Sequence, residues 1–114
     1  MLAALPDQSR GWDPFMLLLA HRGYHASVPE NTMAAFAAAL ALGVDGIETD
    51  VRLSVDGEAV IVHDRMTPRE RTVAERTRRG IEDDVGHPVP LLAEVLDAFP
   101  GALWNVEIKN VEAL

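Results

Sequence analysis

Residues 15–20, FMLLLA, form an unbroken apolar run that stops abruptly at His21-Arg22-Gly23. A strand with polar alternates can leave one face in water, but a run that is apolar at every position needs cover on both faces. Strands of that kind belong to parallel sheets, whose crossover connections are usually helical. The residues that follow can supply such a helix. After the turn at Pro29, Asn31 or Thr32 can cap a helix that runs to about Leu42 and stops at Gly43. Met33, Phe36, Ala37 and Leu40 recur at i, i+3, i+4 and i+7, giving it one apolar stripe.

The rest of the chain repeats the theme. GVDGIETDVRLS reads as a strand, Asp56-Gly57 as a tight turn, and AVIVHD as a returning strand paired with its end. Pro90 opens a second helix, in which Leu92, Val95, Leu96 and Phe99 form a stripe stopped by Pro100-Gly101. ALWNVEIK reads as the last strand. Residues 1–14, punctuated by Pro6, Gly11 and Pro14, read as an irregular lead-in. Residues 65–88 interleave Arg65, Arg69, Arg71, Arg76, Arg78 and Arg79 with Glu70, Glu75, Glu82, Asp83 and Asp84, without clear periodicity. That span reads as a polar, insertion-like loop, solvated or turned toward an anionic substrate. Strand, helix, hairpin, loop, helix, strand is the order of an α/β protein with parallel strands.

Composition narrows the functions. At 114 residues and 48% apolar the chain is expected to form one ordered domain. Ten basic against 18 acidic residues, net −8, argue against nucleic acid or an anionic membrane surface as partner. A phosphate ester stays open if a cation supplies positive charge. The lack of cysteine excludes a disulfide framework, a zinc–thiolate site and a thiol nucleophile. No apolar run approaches the roughly 18 residues of a membrane span. The start, MLAALPDQSRGWDPF, does not read as a signal peptide, so a soluble, cytoplasmic protein is expected.

The chemistry-bearing residues sit on or after the strands. Glu48 and Asp50 are two apart, so both face one side while Ile47, Thr49 and Val51 face the other. Glu107 and Lys109 repeat the pattern on the last strand. Unpaired carboxylates in a sheet interior cost several kcal/mol each, on the order of the burial penalty for ions, unless paired or bound to a cation. Three such carboxylates can offer oxygen ligands to Mg²⁺ or Ca²⁺; the plain alternative is the solvated face of an edge strand. His21 and His63 each end a strand and can serve as general base and acid, or as structural hydrogen-bonders. Arg22 and Lys109 can hold phosphate oxygens, or pair with neighbouring acids. Glu30 and Asn31 precede a helix, where they can cap it or support the histidines from behind. His25 and His87 fall in turns and are expected in solvent.

Taken in order, HRGYHASVPENT, GVDGIETDVRLSVDGEAVIVHD and PLLAEVLDAFPGALWNVEIK resemble the glycerophosphodiester phosphodiesterases, over roughly residues 17–109. The resemblance implies an α/β fold, the N-terminal portion of a (β/α)₈ TIM barrel. It implies hydrolysis of a small-molecule glycerophosphodiester to an alcohol and glycerol 3-phosphate with a divalent cation, through attack by the neighbouring glycerol hydroxyl. His21 and His63 match the family's acid–base pair, Glu48, Asp50 and Glu107 its metal ligands, and Arg22 and Lys109 its phosphate contacts. Two departures accompany the match. Residues 65–87 stand where the family carries an inserted segment and look short. The barrel needs about 250 residues, so this length is too short to close it alone and leaves an open sheet edge. The alternatives are a truncated or split-gene fragment, inactive alone or folding by association, and a related barrel phosphodiesterase with another lipid substrate.

Overall fold

The computed structural model describes residues 2–3 and 17–109. Its elements run β1 (Leu2–Ala3), β2 (Leu19–His21), α1 (Met33–Ala41), β3 (Gly46–Leu53), β4 (Ala59–Ile61), a 3₁₀ turn (Val73–Glu75), α2 (Arg78–Val85), α3 (Leu92–Ala98) and β5 (Leu103–Ile108).

β3 organises the sheet. β5 pairs with it in parallel from Gly46↔Leu103 to Val51↔Ile108. β2 pairs with it in parallel from Leu19↔Gly46 to His21↔Glu48. β4 pairs antiparallel, with Val51 opposite Ile61 and Leu53 opposite Ala59. A strand has two edges, so β2 and β4 share one edge of β3 in succession while β5 takes the other. The parallel order β2-β3-β5, with helices in the connections, is the expected α/β arrangement, and the sheet is open. Gly46 is obligatory at the β3–β5 contact, because a Cβ there would lie 2.2 Å from the Leu103 carbonyl oxygen.

Leu2–Ala3 corrects the expected irregular lead-in. It pairs antiparallel with β2, Leu2 opposite Ala20, and so covers an edge that would otherwise expose unpaired backbone groups. Positions 4–14, the rest of that lead-in, lie outside the described residues, as do 15 and 16 of the apolar run.

Thr32 rather than Asn31 caps α1, its Oγ1 accepting from the Ala35 amide at 3.2 Å. The buried face is Ala35, Phe36 and Ala39, while Met33 and Ala37 are exposed. The expected stripe is therefore rotated about Phe36. In MAAFAAALA almost every position is apolar, so spacing alone does not single out a face, and the small alanines allow the closest approach to the sheet. Phe36 is fully buried, worth about 1.5–3 kcal/mol. Its ring meets Trp104 of β5 edge-on at 5.2 Å, within a core that includes Ala20, Val44, Ile47, Val51, Ile61 and Val95.

Residues 65–88 are not a loop. Thr77 caps α2 by accepting from the Gly80 amide, and Gly86, at φ +85°, ends it. Val60, Val73, Ile81 and Val89 form a second small core beneath it. Asp84 of α2 is also buried, accepting from Thr67 Oγ1 at 2.9 Å and from Arg76 Nη2 at 3.2 Å, with Arg71 Nη1 at 3.6 Å. Arg78 makes a two-pronged contact to Glu94 of α3 at 2.6 and 3.1 Å. These arginines are committed to holding the segment together.

No helix among the described residues is long and apolar enough to cross a membrane.

Candidate active site

At the carboxyl end of β2 the chain turns sharply. Arg22 (φ +60°) and Asn31 (φ +57°) both adopt left-handed conformations, uncommon for side-chain-bearing residues and concentrated at functional sites. The turn is held by the Arg22 amide donating to the Glu48 carbonyl at 2.6 Å and the Asn31 amide donating to the Arg22 carbonyl at 2.9 Å. Gly23 permits it, since a Cβ there would meet the Ala35 backbone at 2.7 Å. This geometry sets His21 Nε2 3.5 Å from Glu48 Oε1. Arg22 Nε lies 3.2 Å from Asp50 Oδ2, an ion pair off the hydrogen-bond axis, and its Nη1 reaches Glu30 at 3.3 Å.

Asp50 is the centre of the cluster and is 1% exposed. Besides Arg22, it accepts from Asn31 Nδ2 at 3.0 Å and lies 3.8 Å from Lys109 Nζ. Register places it opposite Glu107, which accepts from Lys109 Nζ at 2.9 Å. That hydrogen bond, then the Lys109 charge, holds the Glu107 carboxyl below its usual range, with weaker help from His63 and Arg22. Asn31 does not cap α1; its Oδ1 accepts from Thr49 Oγ1 at 2.7 Å, bridging the helix start to β3. Thr49, expected to turn away from the acids, is thus tied into their support.

His63 arrives on the expected hairpin strand. β4 is antiparallel, so His63 is not at the carboxyl end of a parallel strand; the hairpin carries it back toward Glu48 and Asp50. Its Nδ1 lies 2.7 Å from Asp64 Oδ1, and Arg52 Nε donates to its carbonyl at 2.9 Å. It opens on a cleft of about 200 Å³ shared with Glu30, Asn31, Asp64 and Met66. Among the described residues no hydrogen bond or ion pair joins His63 to His21. His25 and His87, expected in solvent, are half-buried; His87 Nδ1 sits 2.9 Å from the Pro88 carbonyl and lines the same cleft.

The structure thus gathers Arg22, Glu30, Asn31, Asp50, Glu107 and Lys109 into one network, with His21–Glu48 beside it and His63 at its cleft. Among the described residues no three His, Asp or Glu side chains are grouped closely enough to hold a metal ion. The donor chemistry does fit a hard divalent cation. Glu48, Asp50 and Glu107 are all-oxygen donors, and Glu48 Oε1 is buried without a hydrogen-bond partner. Arg52, Thr49 and Asp64 are contributors that the sequence reading left unassigned. Asp64 was visible as the residue after His63, whereas Arg52 and Thr49 carry no signal without the hairpin and the Asn31 turn.

Charged groups at the carboxyl ends of parallel strands, backed by helices, place the molecule among α/β proteins with a barrel-type site. The model of the glycerophosphoryl diester phosphodiesterase family matches residues 21–113, and the chain belongs to that family. It is 41% identical over 110 residues to a glycerophosphodiester phosphodiesterase of Caldanaerobacter subterraneus subsp. tengcongensis, covering 82% of this chain and 45% of the relative. With the enzyme of that name from Bacillus altitudinis it shares 36% over 110 residues, with the same coverage of 82% and 45%. The crystal structure of a glycerophosphodiester phosphodiesterase from Thermotoga maritima superimposes with a TM-score of 0.76 at 36% identity, covering 83% of this chain and 44% of that one. An Oleispira antarctica phosphodiesterase solved with the product sn-glycerol-3-phosphate gives 0.71 at 28% identity, covering 84% and 45%. The chain thus spans less than half the length of these relatives and corresponds to the N-terminal portion of a TIM barrel whose sheet it does not close.

Proposed function

We propose that this chain carries the catalytic end of a cation-dependent phosphodiesterase that hydrolyses glycerophosphodiesters to an alcohol and glycerol 3-phosphate. The observation that carries the reading is the Arg22–Asp50–Lys109–Glu107 network at the carboxyl ends of β3 and β5, flanked by two histidines. Family membership and the relative bound to sn-glycerol-3-phosphate support it.

Glu48, Asp50 and Glu107 would hold the divalent cation, Mg²⁺ or Ca²⁺. When bound, such an ion neutralises phosphate charge and lowers the pKa of a coordinated hydroxyl. Arg22 and Lys109 are fixed positive charges for the phosphate oxygens, Arg22 able to engage two at once. His21 accepts the proton of the glycerol hydroxyl as its oxygen attacks phosphorus. The P–O bond to the departing alcohol breaks with its electron pair on oxygen, and His63 supplies the proton. Asp64 Oδ1, against His63 Nδ1, fixes the tautomer and leaves Nε2 for that transfer. Water then opens the cyclic phosphate to glycerol 3-phosphate. Among the described residues β5 pairs only with β3, and we propose that its other edge is covered by further strands or by association in the working assembly.

The test is release of glycerol 3-phosphate from glycerophosphocholine. Chelation is expected to stop it and Mg²⁺ or Ca²⁺ to restore it. Release that survives chelation would remove the cation from the site, and no release under either condition by protein whose barrel sheet is complete would reject the activity.

A further inference from the structure

Arg52 continues the alternation of Glu48 and Asp50, so all three fall on one face of β3. Register sets Arg52 opposite Val60, and β4 ends at Ile61, so His63 lies beyond the strand ladder. A side chain takes over there: Arg52 Nε donates to the His63 carbonyl at 2.9 Å. Asp64, which meets the His63 ring at 2.7 Å, is 77% exposed. An exposed pair of that kind is screened by water and salt and is a weak anchor by itself. The Arg52 bond is half-buried and charge-assisted, and it holds the main chain that carries the ring. Burial keeps the Arg52 guanidinium below its usual range, while the charges of Asp64 and Asp50 act in the opposite sense. Arg52 therefore spans the gap between the strand that bears the acids and the segment that bears His63.

We infer that Arg52 is a positioning residue for His63: its Nε–H pins the His63 carbonyl where β4 leaves the sheet and so keeps the ring with Nδ1 on Asp64. The catalytic consequence rests on the phosphodiesterase reading, in which His63 delivers a proton from Nε2. The positioning itself stands on the hydrogen bond and the strand end. One face of β3 then supplies Glu48 and Asp50 to the site and, at the next position of the alternation, the tether of its histidine. The donor at Nε is what the role requires, rather than the positive charge. Two neutral replacements separate these. Glutamine carries an amide nitrogen at the chain position of Nε, whereas methionine has the same reach and no donor.

The experiment reads the His63 ring by long-range proton–nitrogen NMR of the isotope-labelled chain at about pH 8, where histidine is neutral. A His63→Gln sample assigns its signals, and the core methyls of Ile47 and Ile61 report that each variant is folded. Wild type and Arg52→Gln are expected to show the Nδ1-protonated tautomer as the major form, and Arg52→Met to lose that preference. Both variants keeping the wild-type signature would overturn the inference. Both losing it would do the same, because charge rather than the donor would then be responsible. An Arg52→Met chain that fails to fold would assign Arg52 to the scaffold and overturn it too. In protein whose barrel sheet is complete, Arg52→Met is expected to lower kcat on glycerophosphocholine by up to about 10²-fold with KM little changed, and Arg52→Gln to recover most of the loss. A change confined to KM would contradict the role. Wild-type protein that hydrolyses nothing, beside an intact tautomer series, rejects the phosphodiesterase reading and leaves the positioning of His63 standing.

Discussion

Asp50 shows how one carboxylate can be accommodated in the interior of a sheet. It is held by a guanidinium and an amide from the β2–α1 connection and by an ammonium just past β5, so its burial is compensated by several partners. Asn31 is the least replaceable, because it also satisfies Thr49. Asn31→Leu leaves a buried hydroxyl and one carboxylate oxygen short of a partner and is expected to cost about 1–3 kcal/mol in urea denaturation. Glu48 differs in kind. Its Oε1 is buried without a hydrogen-bond partner, and its contact with His21 is long, so it contributes little to folding. Glu48→Gln is expected to abolish divalent-cation binding in a calorimetric titration while shifting stability, measured with chelator present, by less than about 1 kcal/mol. Retained cation binding would show that the ligand assignment is wrong. That Glu48 and Asp50 share a face was legible from their spacing of two on a strand, although the same spacing also fits a solvated edge. Which cation meets which acid was not legible. Arg22 reaches Asp50 and Glu30 rather than Glu48 because two left-handed residues fold its segment over β3, and nothing in the side-chain pattern announces that.

Among the elements, α2 was the one the sequence concealed. Its signals were present: Thr77 as cap, Ile81 and Val85 four apart, and Gly86 as stop. They were outweighed by a central glycine and by charges that read as solvated. The buried Asp84 explains the charges, since its arginine partners serve an interior group rather than water. The hairpin strand was found, but its consequence was not, because a histidine at the end of an antiparallel strand returns toward the site instead of projecting past it. α2 and α3 are joined by the Arg78–Glu94 clamp. The Leu91 amide and then Arg78 hold the Glu94 carboxyl below its usual range. A carboxylate with a depressed folded pKa contributes fully above its unfolded value and loses that contribution as pH falls through the folded one. The melting-temperature difference between wild type and Glu94→Gln is therefore expected at about pH 7 and should shrink as pH falls below the usual carboxylate range. A difference that persists in acid would assign Glu94 a role other than its charge.

For the whole molecule, the parallel order β2-β3-β5 follows from apolar runs separated by helices, and that much was readable from patterning. The sheet's outer boundaries were not. Leu2–Ala3 closes one side of β2, a pairing no two-residue stretch can advertise, whereas β5 has only β3 beside it among the described residues. The site lies between these two conditions, with β2 and β3 supplying His21, Glu48 and Asp50 and the open-edged β5 supplying Glu107. The central claim is that this end of the sheet performs acid–base hydrolysis of a phosphodiester with His63 giving the proton. The most direct measurement is the rate of glycerol 3-phosphate release from glycerophosphocholine by His63→Ala, made beside a cation titration of the same sample. The account predicts cation binding intact and a rate lower by about 10²–10⁴; a His63→Ala protein that turns over at the wild-type rate would contradict it.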